Sequence, residues 1–129
     1  MIELKTHKKI DERFSGKVVD LKKDYSKVVL KTIQEMVADE EGLIHGGFTF
    51  SAADYAAMCA VNDPYVVLVA ADVKFTAPVK VGEEIVFEAK VFEREGKKSK
   101  VEVIGKVYEV KVFEGIFKTY SLDKHILSE

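Results

Sequence analysis

The sequence contains no tryptophan, a single cysteine and two prolines among its 129 residues. Because Cys59 is the only cysteine, an internal disulfide and a site built from several thiolates are excluded, and a reducing cytoplasm is the compartment we expect. No apolar run approaches the roughly 18 residues that a membrane-spanning helix needs. The N-terminus is polar and carries an acid, which is unlike a signal peptide.

Neither sign of charge is in excess, since 20 basic and 22 acidic residues give a net charge of -2. We therefore expect no nucleic-acid partner. Apolar residues make up 47% of the chain, enough to form a core rather than a disordered segment. The histidines His7, His45 and His125 do not have the spacing of metal ligands. We expect one domain over residues 1–129, with no metal, no cofactor and no membrane partner.

Most of the chain is predicted to form strands. Residues 17–22 and 26–33 are rich in Val, Ile and Thr, with a turn between them. Four further strands are predicted at 66–77, 84–94, 100–108 and 110–120, with a hairpin turn at 95–98. Apolar residues alternate there with Lys and Glu, which is typical of an antiparallel sheet with one solvated face.

One helix is predicted between the two groups of strands. Residues 48–61 are rich in Ala, contain neither Gly nor Pro, and carry Asp54 as their only charge. A helix that is apolar almost all the way round is buried, and the segment 62–64 ends it. We predict an α+β fold in which an antiparallel sheet of five to six strands wraps around one long central helix at about 47–62. A second subunit would protect the remaining sheet edge.

The start of this helix is a candidate site. Residues 34–47 are predicted to be a loop, which ends in Gly46 and Gly47. The first N–H groups of a helix lack intrahelical acceptors and favour negative charge, and glycines allow close approach. These properties suit an oxyanion site for a thioester carbonyl. The alternative is that the two glycines only make a tight turn.

Asp54 is the second candidate. A charge in a buried helix is costly unless it is paired or functional, and burial should raise its pKa as a general base requires. Asp54 could activate water, or attack the thioester and form an anhydride. The alternative is a structural carboxylate bonded to the backbone or to Ser51.

The spacing of the two candidates adds a constraint. Gly46 and Asp54 are eight residues apart in the sequence, or roughly 12 Å along a helix axis. One carbonyl cannot touch both groups of one chain, so we expect a site shared between two antiparallel helices of a dimer.

Other residues allow two interpretations. His45 is a catalytic candidate, as a base, or it could orient the loop or cap the helix start. Cys59 is interpreted as packing. The set Phe48, Tyr55 and Met58 is either core or the lining of an acyl pocket. Lysines could meet the phosphates of coenzyme A (CoA), although most such side chains are simply solvated; this set comprises Lys74, Lys80, Lys97, Lys98 and Lys100.

The segment from His45 to Asp54 resembles the motif of hotdog-fold thioesterases of the phenylacetate-pathway type, and residues 71–83 are similar to the strand and turn that follow in that fold. The resemblance covers residues 17–121. It implies that the Gly46 N–H polarises the carbonyl, that Asp54 is base or nucleophile, and that homodimers or homotetramers carry sites at the subunit interface. Many relatives have an Asn that helps hold the attacking water six residues before the His, where this chain has Asp39.

Residues 71–92 and 112–120 also resemble the ligand-binding domain of the malonyl-CoA-responsive repressor of fatty-acid synthesis. About sixteen residues precede the first predicted strand, too few for a DNA-binding helix-turn-helix. Acyl-CoA hydrolysis is therefore the first functional hypothesis, and non-catalytic acyl-CoA binding or sensing is the second. A hotdog hydratase or dehydratase is the third, although the His-Phe-Pro-Gly pattern of such enzymes is absent.

Overall fold

The computed structural model describes residues 1–128, and Glu129, the last residue of the predicted single domain, lies outside them. The helices are α1 (Glu12–Ser15) and α2 (Gly46–Val61), with a 3-10 turn at Gln34–Met36. The strands are β1 (Lys17–Lys22), β2 (Tyr25–Lys31), β3 (Val66–Phe75), β4 (Glu84–Glu95), β5 (Lys98–Val107) and β6 (Val110–Ser121). They form one antiparallel sheet in the order β1-β2-β4-β5-β6-β3. The predicted α+β architecture is confirmed.

Helix α2 lies against the sheet and forms the centre of the core. Ten of its 16 residues are buried, including four alanines that expose none of their surface. Small side chains let the helix backbone approach the sheet closely, and the sheet fills the remaining space with the fully buried rings of Phe87, Phe113 and Phe117. Asn62 ends the helix in the left-handed conformation, and its N–H donates to the Met58 carbonyl at 2.8 Å.

The start of α2 corrects one prediction. The helix was expected to begin at about residue 47, with Gly46 in the preceding loop, because glycine disfavours helix interiors, but both glycines are the first two residues of the helix. Glycine is tolerated there because the first-turn N–H groups make no intrahelical bonds in any case. The rest of the predicted loop is partly ordered by an isolated bridge between Val37 and Ile44.

The two edges of the sheet differ in character. Strand β1 carries charged residues at both ends, Lys17 and Lys22, and such charges discourage further strand pairing. Strand β3 is uncharged from Val66 to Ala71, and Val69 exposes 62% of its surface beside an irregularity in the pairing with β6. The exposed apolar edge therefore lies on the strand that follows α2.

An ordered N-terminal segment, residues 1–16, packs along α2 and was not predicted. At the end of α2, the Lys5 N–H donates to Asn62 Oδ1 at 2.7 Å, and Asn62 Nδ2 donates to the Glu3 carbonyl at 2.8 Å. Further along, Ser15 Oγ lies 2.8 Å from Ser51 Oγ. The segment therefore runs from the C-terminal end of the helix back past its middle.

Candidate active site

The loop that precedes α2 is closed by hydrogen bonds within the loop. Asp39 Oδ1 accepts the N–H groups of Glu41 at 3.0 Å and Leu43 at 3.1 Å, and the Ala38 N–H donates to the Leu43 carbonyl at 2.7 Å. The Asp39 side chain is exposed, and this oxygen holds the loop together. Its predicted place in substrate binding stays a prediction.

His45 is the N-cap residue of α2, but it does not cap the helix with its side chain. Its backbone N–H donates to the Met36 carbonyl at 2.9 Å, and its own carbonyl accepts the Phe48 N–H at 3.1 Å. The imidazole lies over Gly47, where a Cβ atom would come within 3.1 Å of Nε2. Of the two structural roles considered for His45, loop positioning matches this geometry and side-chain capping does not.

Gly46, whose N–H lies in the first turn of α2, lines a cleft of about 390 Å³. No side chain caps the helix here, and the helix dipole adds positive charge. The side on which a Cβ would stand is occupied, since that atom would lie 3.3 Å from the ring of Phe75. We call this space the Gly46 cleft; its walls also include Leu43, Thr49 and Pro78. The geometry suits an acceptor oxygen beside the helix start.

Asp54 is partly buried on α2, and its buried Oδ1 atom has no hydrogen-bond partner among residues 1–128. The predicted structural alternative required a bond to the backbone or to Ser51, but Ser51 bonds to Ser15 instead. Burial raises the pKa of the Asp54 carboxyl to about 6. A partly buried carboxylate with an unpartnered oxygen and a pKa raised to about 6 has the properties of a general base.

Asp54 faces a different cleft from Gly46. This Asp54 cleft has a volume of about 460 Å³, and its walls include Thr6, His7, Tyr65 and Ile126. No lining residue is common to the two clefts. Strand β3 borders both, because its first residues from Val66 to Leu68 line the Asp54 cleft and its last residue, Phe75, lines the Gly46 cleft. The two predicted catalytic groups of one chain therefore line separate spaces.

None of the other predicted substrate-binding residues in α2 and β3 lines the Asp54 cleft. Met58 is fully buried and Tyr55 nearly so, which favours core over pocket lining. Phe48 is partly buried and packs on Phe14 at a centroid distance of 5.9 Å. Lys74 lies on the outer face of the sheet, because its neighbours Val73 and Phe75 pack on the inner side. Contact of these four side chains with a substrate stays a prediction.

Cys59 matches its interpretation as a packing residue. The thiol is fully buried, and burial raises its pKa to about 12. A thiol in that state is a poor nucleophile.

Sequence reasoning missed His7, which lines the Asp54 cleft. It precedes the first predicted strand, and it was considered only as a metal ligand. No set of three or more His, Cys, Asp or Glu side chains within residues 1–128 is arranged to hold a metal ion. Over the same residues, no helix has the length and apolarity to cross a membrane.

Residues 41–112 match the family model of the Thioesterase superfamily. The chain belongs to the thioesterase superfamily. The matched region spans the helix start, α2, the strands β3, β4 and β5, and the first residues of β6, so it contains both Gly46 and Asp54. The sheet around α2 is the hotdog fold that the resemblance implied.

Relatives of this chain include much longer proteins. It is 54% identical over 121 residues to a methylthioribose-1-phosphate isomerase of Aquifex aeolicus, an alignment that covers 94% of this chain and 26% of the relative. It is 34% identical over 108 residues to the transcription factor FapR of Bacillus subtilis, covering 81% of this chain and 57% of FapR. The chain thus spans only part of the length of either relative.

Similar solved structures cover the whole fold. An uncharacterized protein of Pyrococcus horikoshii has a TM-score of 0.97 and 52% identity, with 98% of each chain covered. The Streptococcus mutans protein smu.793, solved with bound acetyl-CoA, has a TM-score of 0.80 and 16% identity, covering 92% of this chain and 97% of that one. At that identity the likeness shows the fold alone.

Proposed function

We propose that this chain hydrolyses the thioester bond of an acyl-CoA. The observation that carries the proposal is the Asp54 carboxyl, which lines an open cleft and whose buried Oδ1 has no partner in the described part of the chain. A buried polar atom without a partner is costly unless a ligand or water completes it. Membership of the thioesterase superfamily and the acetyl-CoA bound to smu.793 support the choice of substrate class.

In the proposed reaction, the thioester oxygen accepts a hydrogen bond from the Gly46 N–H, which stabilises the charge that develops on that oxygen. Asp54 removes a proton from water, and the water oxygen bonds to the carbonyl carbon. The carbon–sulfur bond then breaks, and the CoA thiolate takes the proton from Asp54. A pKa of about 6 leaves Asp54 ionised at neutral pH and still basic enough to accept that proton. Direct attack by Asp54 is the alternative role.

The reacting groups would come from two subunits. Suppose that the β3 strands of two copies pair antiparallel about the midpoint between Ala70 and Ala71. Val66 of one copy would then lie opposite Phe75 of the partner subunit. Because Val66 lines the Asp54 cleft and Phe75 lines the Gly46 cleft, each Asp54 cleft would adjoin the partner's Gly46 cleft. A two-fold axis would create two such sites.

The exposed edge of β3 supports this pairing. Its first six residues carry no charge, and Val69, Ala70 and Ala71 are exposed. An apolar unpaired edge is a template for another strand, and burial in a homodimer would remove it from water. The other edge, β1, carries lysines and is the less suitable one.

The primary experiment is a thiol-release assay over acyl-CoAs of different chain length, with wild type and Asp54→Asn side by side. The variant preserves shape and removes the base. We expect wild-type turnover and a loss of at least about a hundredfold in kcat for Asp54→Asn, with an unchanged circular dichroism spectrum. Equal turnover by both proteins would refute the assigned role of Asp54.

A mixing experiment tests the shared site. Asp54→Asn subunits lack the base, and Gly46→Pro subunits lack the N–H donor. A mixed dimer would place both defects in one site and leave the other site intact. Mixing the two inactive proteins should therefore restore up to about a quarter of wild-type activity after subunit exchange at equal concentrations. No recovery, with exchange shown by mass-tagged subunits, would contradict the shared site.

The second candidate function is acyl-CoA binding without turnover. It is supported by the 34% identity to the transcription factor FapR over 81% of this chain. Binding in titration calorimetry of acyl-CoAs that are not hydrolysed in the thiol-release assay would support this function. Binding accompanied by turnover would favour hydrolysis.

A further inference from the structure

His7 enters the Asp54 cleft in an unusual backbone conformation. Its φ is 53°, in the left-handed region that residues other than glycine seldom adopt. The segment around it is fixed at the end of α2 by the two hydrogen bonds to Asn62. Strained backbone of this kind persists where the surrounding structure imposes it, and it concentrates at functional sites.

The imidazole ring of His7 has a fixed orientation. Thr6 is buried, and its Oγ1 atom lies 2.7 Å from Nδ1 of His7. This bond engages Nδ1, so Nε2 is the ring nitrogen left for another hydrogen-bond partner. Burial lowers the pKa of His7, so the ring is neutral at neutral pH and can accept a hydrogen bond.

The Asp54 cleft, with a volume of about 460 Å³, is large enough to admit water beside Asp54. Asp54 Oδ1 is buried without a protein partner, and His7 makes no direct hydrogen bond to Asp54 within residues 1–128. Both side chains line the same cleft. Ordered water in such a position typically makes about three hydrogen bonds, so a second polar partner beside Asp54 is required.

We propose that His7 is a positioning residue, whose Nε2 atom and the Asp54 carboxylate hold the hydrolytic water between them. The Nδ1–H group would donate to Thr6 Oγ1, and Nε2 would accept one hydrogen of the water. Asp54 accepts the other hydrogen as the water oxygen attacks the thioester carbon. The carbon–sulfur bond breaks, and the thiolate receives the proton from Asp54. This inference rests on the proposed function.

Two variants separate the effect of the His7 side chain from that of its backbone conformation. His7→Gly and His7→Asn both suit the left-handed conformation better than histidine, and Asn keeps a polar group near the position of Nδ1. Neither has a counterpart of Nε2. In the thiol-release assay we expect kcat to fall at least about tenfold, KM to stay within twofold, and the melting temperature to stay equal or rise.

The matched backbone control is Tyr108→Asn. Tyr108 also has a left-handed φ, 52°, but is 91% exposed in the turn between β5 and β6. This substitution should raise the melting temperature without changing kcat. Thr6→Val, which keeps the imidazole but removes its partner, should lower kcat, and Thr6→Ser should retain it.

The outcomes distinguish this inference from the function on which it rests. If wild type shows no thiol release, both are overturned. If turnover depends on Asp54 but kcat of His7→Gly and His7→Asn stays within twofold of wild type, the role of His7 alone is overturned. A rise in KM at unchanged kcat would also overturn it, because that result assigns His7 to substrate binding rather than to the water.

Discussion

Ser15 Oγ lies 2.8 Å from Ser51 Oγ, so the hydroxyl one helical turn before Asp54 is bonded to the N-terminal segment. Residues three apart on a helix share a face, and Ser51 would otherwise be placed to donate to the carboxylate. The Ser51 hydroxyl is thus engaged by Ser15, while Asp54 Oδ1 has no hydrogen-bond partner among residues 1–128.

The first prediction follows from this pair. In Ser15→Ala the Ser51 hydroxyl is released and can donate to Asp54, and a bond to the ionised form lowers the pKa of a carboxyl. The acid limb of the profile of kcat/KM against pH should move to lower pH in Ser15→Ala. Ser51→Ala is the matched control, because it loses the same Ser15–Ser51 bond but provides no new donor. An unmoved limb in Ser15→Ala would show that Ser51 does not reach Asp54.

The second prediction concerns stability and pH. The pKa of Asp54 rises on folding from 3.8 to about 6, so the folded state favours the protonated carboxyl. The stability that protonation contributes is present below pH 4 and is lost as pH rises towards 6. Two pKa units correspond to roughly 3 kcal/mol, an upper value for this group. The free energy of unfolding of Asp54→Asn, relative to that of wild type, should therefore increase by up to this amount as the pH rises from 4 to 8.

Urea unfolding at fixed protein concentration measures this difference, since pairing of subunits would make stability depend on concentration. Activity should show the opposite trend, with kcat/KM rising as Asp54 ionises around pH 6. A stability difference that does not change with pH would contradict the raised pKa.

The third prediction isolates the Gly46 N–H. Proline is tolerated at the first position of a helix, and His45 already has the extended ψ of 129° that suits a residue before proline. Gly46→Pro should therefore fold and lower kcat by about a hundredfold, the typical effect of losing one oxyanion donor.

Gly46→Ala is the control for this experiment. It adds a Cβ at 3.3 Å from the ring of Phe75, which is 54% exposed and can move, and it retains the N–H. Its kcat should stay well above that of Gly46→Pro. Equal losses in the two variants would assign the effect to steric contact with Phe75 instead of the donor.

The fourth prediction concerns Arg94, near the end of β4. Its guanidinium donates twice to Asp24 Oδ1, at 2.7 and 2.9 Å, and once to the Val61 carbonyl at 3.2 Å, so it joins the β1–β2 turn to the end of α2. A lysine cannot reproduce this planar set of donors. Arg94→Lys should lower the free energy of unfolding by about 1 kcal/mol, because the group is partly exposed.

The control pair for Arg94 is Lys100 with Glu93, an isolated ion pair at 3.3 Å. Lys100→Gln should change the free energy of unfolding by less than about 0.5 kcal/mol. If chemical denaturation shows that both substitutions lower the free energy of unfolding equally, the bond from Arg94 to the helix end contributes no more to stability than an isolated ion pair.

The sequence was informative where structure follows local periodicity. Strand β1 has the predicted bounds, and β4 and β6 differ from prediction by one residue, because alternating burial fixes which residues face α2. The N-terminal segment has no such period. Its conformation depends on bonds to Ser51 and Asn62, which are 36 to 59 residues away in the chain. His7 could not be assigned to the Asp54 cleft without those contacts.

The place of β3 in the sheet has a consequence for the order of folding. Strands β4, β5 and β6 are joined by short turns, so their pairings close small loops and form early. Strand β3 pairs with β6, and β4 and β5 lie between these two strands in the chain. Such a distant pairing has a larger entropic cost of loop closure. The strand that borders both clefts should therefore dock late. Hydrogen exchange during refolding should protect β3 amides after those of β5.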